Sequence, residues 1–247
     1  MTNFLLLALL LLSYCCVVLC RDHPNILDTC FDAKYHKLKP VPEPNLHGLC
    51  SPWKSRACCE SNTTLAFHLN DVWIGFTWNH CPGHNLSESC RNWFMKDLCF
   101  YECSPNTGPW ITEHKISIRN ERFQHTPLCT SQCTSWWEAC KDDYTCLDNW
   151  GKGFNWTTGV NTCPVGTTCQ LFSQMFKNNA TAFCNQIWDY SWKVVPDTRP
   201  CMKINFTGTN PNDAVAEYYA NINATGKNTI KHFLLLAALL MSVYSNN

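Results

Sequence analysis

The chain is 247 residues long, balances 19 Lys and Arg against 19 Asp and Glu, and has a formal net charge of zero. Charged residues make up only 15% of it, which argues against a nucleic-acid partner or an anionic surface. Its unusual components are 19 cysteines and 11 tryptophans.

Residues 4–19 are almost wholly apolar and end at Cys20-Arg21, so residues 1–20 read as a signal peptide. Cys15, Cys16 and Cys20 fall in that leader, which leaves sixteen of the 19 cysteines beyond it. They are Cys30, Cys50, Cys58, Cys59, Cys81, Cys90, Cys99, Cys103, Cys129, Cys133, Cys140, Cys146, Cys163, Cys169, Cys184 and Cys201. An even set this dense in an exported chain predicts eight disulfides and no free thiol, with the connectivity left open. Cross-linked walls favour a pre-formed cavity, because they lower the ordering cost of binding. No nucleophile–base motif appears and the cysteines are needed for bridges, so no enzyme is expected. Pairs such as Cys99/Cys103 lack a histidine spacing that would suit zinc. Residues 21–223 read as one compact α+β domain, rich in disulfides, with short helices and short strands among long loops.

In chain order, the stretch around Trp73 to Trp78 looks extended. Ser87 to Tyr101 is a helix, opening on Ser-Glu-Ser and closing before Ser104-Pro105. A second helix is predicted to start at Thr126-Pro127, with Thr as N-cap and Pro at the first helical position. On it Cys129, Cys133, Trp136 and Cys140 share one face, read as a buried, cross-linked stripe. Val160 to Val165 looks extended. Asn210-Pro211-Asn212-Asp213 opens a third helix with Val215, Tyr218, Tyr219 and Ile222 as its apolar face. Asn-x-Ser/Thr sequons at Asn62, Asn85, Asn155, Asn179 and Asn205 are expected glycosylation sites. A sixth, Asn223, opens a run of small residues followed by a polar spacer and a short apolar tail, Phe233 to Tyr244. That plan predicts a glycosylphosphatidylinositol (GPI) anchor, with attachment at Asn223 and removal of 224–247. The tail is short of the about 20 apolar residues of a spanning helix. Aromatics beside polar residues, as in Trp188-Asp189-Tyr190-Ser191-Trp192, suit a pocket for a flat heteroaromatic ligand.

Several motifs carry a resemblance. Cys30-Phe31-Asp32-Ala33-Lys34-Tyr35-His36-Lys37, Trp78-Asn79-His80-Cys81, Tyr101-Glu102-Cys103-Ser104-Pro105-Asn106 and Trp136-Trp137-Glu138-Ala139-Cys140 follow one another in order. So do Asn149-Trp150, Gly153-Phe154-Asn155-Trp156-Thr157 and Cys184-Asn185-Gln186-Ile187-Trp188. Together they resemble the folate receptor family, which includes folate receptors, the riboflavin-binding proteins of eggs, and Juno, the egg-surface receptor for a sperm adhesion protein. The resemblance implies a GPI-anchored cell-surface receptor that binds folic acid and reduced folates and delivers them into cells. Folate is then a ligand, and no cofactor is implied. The alternative it carries is a Juno-like adhesion receptor acting in fertilisation, with a sperm protein as partner.

By the same resemblance, Asp97 is the carboxylate that binds the pterin's amino-pyrimidine edge and Tyr101 stacks on the ring. Their i, i+4 spacing puts both on one helix face. Arg119 and Arg122 match the arginines at the pterin's acceptors, and their i, i+3 spacing suggests a common direction. Trp188 matches the second wall of the stack and Ser191 a pterin-contacting hydroxyl. Trp150 and Phe76 match the channel, and Lys152, Gly153 and Trp156 the rim where the glutamate tail leaves. Four positions depart from the pattern: Ile74 for a channel tyrosine, Ile118 and Phe154 for tryptophans, and Gly151 for a histidine. The pterin end is thus retained while the middle and mouth are altered.

Overall fold

A computed structural model of the chain describes residues 26–222. The leader, Asn223 and the C-terminal tail lie outside the described residues. The helices are α1 (Ser61–Leu69), α2 (Glu88–Cys103), α3 (Thr130–Cys140), α4 (Phe172–Met175), α5 (Ala180–Gln186) and α6, over 212–222. The strands are β1 (Val72–Trp73), β2 (Phe76–Thr77), β3 (Ile111–Ile116), β4 (Arg119–Phe123), β5 (Thr126–Cys129), β6 (Tyr144–Thr145), β7 (Gln170–Leu171) and β8 (Trp192–Val195). They pair only in twos: β1–β2, β3–β4 and β6–β7 antiparallel, and β5–β8 parallel. This is a mixed domain of short helices and strands, as the sequence predicts.

All sixteen cysteines among the described residues are paired, in eight bridges that span between 17 and 88 residues of sequence. Closing such loops in the unfolded chain contributes about 3–4.5 kcal/mol per bridge in the chain-entropy picture. Three of them converge on α2. Cys90 joins Cys140 of α3, Cys99 joins Cys50, and Cys103 joins Cys59. Helix α3 is tied in turn to α5 through Cys133–Cys184.

The bounds of α2 follow from its sequence. The Ser87 hydroxyl accepts from the Cys90 N–H at 3.3 Å, and Glu88 sits in the first turn, where the helix dipole favours it. Phe94, Asp97, Leu98 and Tyr101 recur at helical spacing and face inward. Phe94 is fully buried and stacks on Trp150 at 4.5 Å, with Trp136 edge-on at 5.0 Å. Such aromatic pairs add about 0.5–1.5 kcal/mol beyond area burial.

Three sequence expectations are corrected. Residues 126–129 form strand β5, not the start of a helix, because β8 pairs with their backbone in parallel register from Thr126↔Trp192 to Cys129↔Val195. Helix α3 begins only at Thr130; Cys133, Trp136 and Cys140 do form a buried stripe on it. The 160–165 stretch is not a strand but has one bridge, Asn155↔Thr162. Asn161 pins it to β2, its side chain accepting from the Thr77 N–H at 2.6 Å and donating to the Thr77 carbonyl at 3.1 Å. On α6, Val215 and Ala216 are buried, whereas Tyr218 and Ile222 are about half exposed and lie off its inner face. Four of the five described sequon asparagines, Asn62, Asn85, Asn179 and Asn205, are exposed, and Asn155 is half-buried.

Candidate ligand-binding site

A cavity of about 460 Å³ opens between α2, the β1–β2 and β3–β4 hairpins, and the turn that leads from α5 into β8. That volume lies in the range of small-molecule sites, about 300–1,000 Å³. Each bordering element supplies its side chains for a local reason. The β1–β2 hairpin turns through Ile74 and Gly75, both at positive φ (48° and 82°), and so presents Trp73, Ile74 and Phe76 to the cavity. Gly75 cannot carry a side chain, since a Cβ there would lie 2.5 Å from the Gly159 carbonyl. Helix α2 supplies Asp97, Leu98 and Tyr101.

Arg119 and Arg122 lie on a strand, where residues three apart ordinarily face opposite sides. Pairing of β3 with β4 shifts register between Glu113 and Ile116, and both arginines line the cavity. Such an irregularity re-aims side chains locally. The two are held differently. The Arg119 guanidinium stands over the Tyr101 ring, 5.4 Å from its centroid. Arg122 is buried and bound on every side: Nη1 to Asp189 Oδ2 at 3.0 Å, and Nη2 to the Trp188 carbonyl at 3.2 Å, the Asp189 carbonyl and Ser191 Oγ.

Asp97 is buried at the inner end. Its Oδ1 accepts the indole N–H of Trp192 at 2.7 Å. Burial pushes its pKa up to about 7; the Trp192 hydrogen bond opposes the rise, and so does the nearby Trp188 indole. Among the described residues Trp188 Nε1 nevertheless has no aligned acceptor of its own. Tyr101 is fixed from behind by Phe31, stacked at 5.2 Å, and edge-on by His36 at 5.5 Å. Burial holds the Tyr101 hydroxyl up at about 12 against the pull of Arg119.

Behind Tyr101 lies a pair that the sequence reading did not single out. His36 Nε2 meets the Tyr101 carbonyl at 3.1 Å, and Nδ1 lies 3.6 Å from Glu102 Oε2. Burial lowers the His36 pKa to about 4 and raises that of Glu102 to about 8, so near pH 7 both are largely uncharged. The missed signal was position: Glu102 follows Tyr101 directly, and the turn of the helix buries it too.

Of the eleven expected site residues, nine line this cavity: Phe76, Asp97, Tyr101, Arg119, Arg122, Trp150, Trp156, Trp188 and Ser191. Lys152 and Gly153 do not. Gly153 is exposed at a φ of 98°, and Lys152 Nζ lies 2.8 Å from Asp189 Oδ2. Five buried polar atoms of lining residues, His36 Nδ1, Tyr101 Oη, Glu102 Oε2, Arg119 Nε and Trp188 Nε1, make no well-aligned hydrogen bond among the described residues. Buried polar groups are rarely left so, and several around one apolar cavity point to a ligand that completes them.

Residues 29–203 match the folate receptor family. The chain belongs to that family. It is 43% identical over 212 residues to folate receptor alpha of Bos taurus, covering 83% of this chain and 87% of that protein. It is 42% identical over 224 residues to human folate receptor alpha, covering 88% and 86%. The riboflavin-binding protein of Dromaius novaehollandiae is 37% identical over 180 residues, covering 72% and 71%. Members of the folate receptor family are binding proteins and not enzymes. No helix among the described residues is long and apolar enough to cross a membrane.

The Trp192–Asp97 hydrogen bond gives a direct prediction. Donation to the ionised carboxylate favours the charged form, so Trp192→Phe should raise the Asp97 pKa above about 7. A carboxyl-carbon NMR titration checks this; an unchanged or lower value contradicts it.

Proposed function

We propose that the protein is a cell-surface receptor that binds folates, pterin end first, in this cavity and carries them into cells. One observation supports the reading above the rest. A buried carboxylate, Asp97, stands at the inner end of an aromatic-walled cavity, with a tyrosine ring one helical turn away. A pterin edge offers an amino group and a ring N–H side by side, and a carboxylate accepts both in a bidentate, charge-assisted contact. Tyr101 and Trp188 supply ring walls, and Arg119 lies within reach of the ring's acceptors. An adhesion role in fertilisation needs no buried acid, so the presence of Asp97 favours the small-molecule reading.

The pKa of Asp97 sets the pH dependence. Unliganded, the carboxyl is half protonated near pH 7 because burial disfavours its charge. The pterin's donors need the ionised form, so binding draws the proton off. Affinity should hold above about pH 7 and fall roughly tenfold per unit below it, in the direction required for release in an acidic compartment. Titration with folic acid by tryptophan quenching should show this slope in the wild type. Asp97→Ala should weaken binding by about 3 kcal/mol or more, because the pterin's donors are then buried without an acceptor. Equal nanomolar binding by both proteins removes Asp97 from the site.

We also propose GPI anchorage, on the small-residue, polar-spacer and short apolar-tail order of residues 223–247. A phospholipase C specific for phosphatidylinositol should then release the protein from cells; retention with Phe233 to Tyr244 intact contradicts it.

A further inference from the structure

Against the lining residues Arg122 and Gly151 stands an acid, Asp189, that has no part in the proposed folate contacts. Asp189 follows Trp188 in the turn between α5 and β8, at a φ of 51°, and its side chain is about nine-tenths buried. Its carboxylate collects three partners. Oδ2 lies 3.0 Å from Arg122 Nη1 and 2.8 Å from Lys152 Nζ, and Oδ1 accepts from Asn149 Nδ2 at 3.1 Å. Burial acts to raise the Asp189 pKa, but the bonds from Lys152 and Asn149 and the Arg122 charge outweigh it and hold the group below its ordinary value.

The surroundings are built for this arrangement. Gly151, a lining residue, faces Asp189 with no side chain, and a Cβ there would come within 3.0 Å of Asp189 Cβ and 3.2 Å of Asn149 Oδ1. Any larger residue at 151 would push the acid or its aspargine partner aside. Lys152 follows this lining residue directly, with its side chain 67% exposed. An anionic group leaving the cavity past Gly151 and Trp156 would meet Lys152 first. In this protein Lys152 already has a carboxylate, and that carboxylate is shared with Arg122.

We propose that Asp189 is a specificity-determining residue. It stands in, from within the protein, for an acidic ligand tail, so the site selects a flat heteroaromatic ring and gains little from a carboxylate-bearing tail. The inference rests on the folate reading of the cavity and concerns its mouth alone. One internal acid between two cations lowers the local charge from two to one. It also engages Lys152 at 2.8 Å, so a tail must compete for it. The effect is moderate, because the lysine is largely exposed and solvent screens it.

Cells displaying the full chain, wild type and Asp189→Asn, should be titrated with folic acid and with pteroic acid, which has the same ring system but no glutamate. The readout is the ratio of the two dissociation constants, which is insensitive to how much folded protein reaches the surface. The wild type should bind the two within about threefold, a difference of well under 1 kcal/mol. Asp189→Asn keeps the side chain's shape and leaves Arg122 on the Trp188 and Asp189 carbonyls and Ser191 Oγ. It should shift the ratio toward folic acid by about three- to tenfold, the size of a partly screened ion pair. Adding Lys152→Gln to that variant should cancel the shift. A wild type that already prefers folic acid by more than about thirtyfold overturns the proposal without recourse to any variant. So does an Asp189→Asn ratio equal to the wild-type one. Failure of the wild type to bind either compound removes the folate reading and this proposal together, whereas binding of both with no effect at Asp189 removes this proposal alone.

Discussion

A carboxylate that has lost its hydration must be compensated by hydrogen bonds or by a proton, and Asp97 is that group in this protein. Trp192 supplies one donor from strand β8, and the Trp188 indole lies close by. These do not fully offset burial, and the pKa stays near 7. The unliganded site is therefore electrostatically incomplete near neutral pH, and a ligand with two parallel donors would complete it. The rest of the structure can be read as what keeps that group in place and dry.

Helix α2 holds it. Three bridges tie it to α3 and, through Cys50 and Cys59, to the segment that precedes α1. The buried Phe94–Trp150 stack packs the turn before Asp97. The Phe31, His36 and Arg119 contacts fix Tyr101 in the turn after it. A site of this kind in a domain with little regular sheet needs such bracing, because two-stranded pairings alone do not fix the distance between walls. The uncharged His36–Glu102 pair adds a second buried acid, one whose partners are protein groups and whose carboxyl is mostly protonated near neutral pH.

Much of this was legible in the sequence, for physical reasons. The even count of sixteen cysteines beyond residue 20 implied full pairing, though not which cysteine meets which, because pairing depends on three-dimensional proximity. Helix α2 was readable from the Ser87 cap and the Ser104-Pro105 stop. The i, i+4 placement of Asp97 and Tyr101 on it survived unchanged. The Thr126-Pro127 reading failed because a Thr-Pro pair also suits an edge strand, and only the distant segment 192–195 decides between them. The arginine pair pointed into one cavity for a different reason from the one expected: an irregular strand pairing, not a helical repeat. The mouth was the least legible part. Lys152 does not line the cavity, and its partner Asp189 is 37 residues away in sequence, so nothing local announces the contact.

The most direct measurement of the central claim is proton exchange on binding, obtained by calorimetric titration of folic acid in buffers of different ionisation enthalpy. If binding requires Asp97 to ionise, complex formation at about pH 6 should release close to one proton per site, falling toward zero by about pH 8.5. Asp97→Asn should abolish that release. Tight folate binding with no proton release across this range would contradict the account, since the ligand would then be held without drawing on the charge of Asp97.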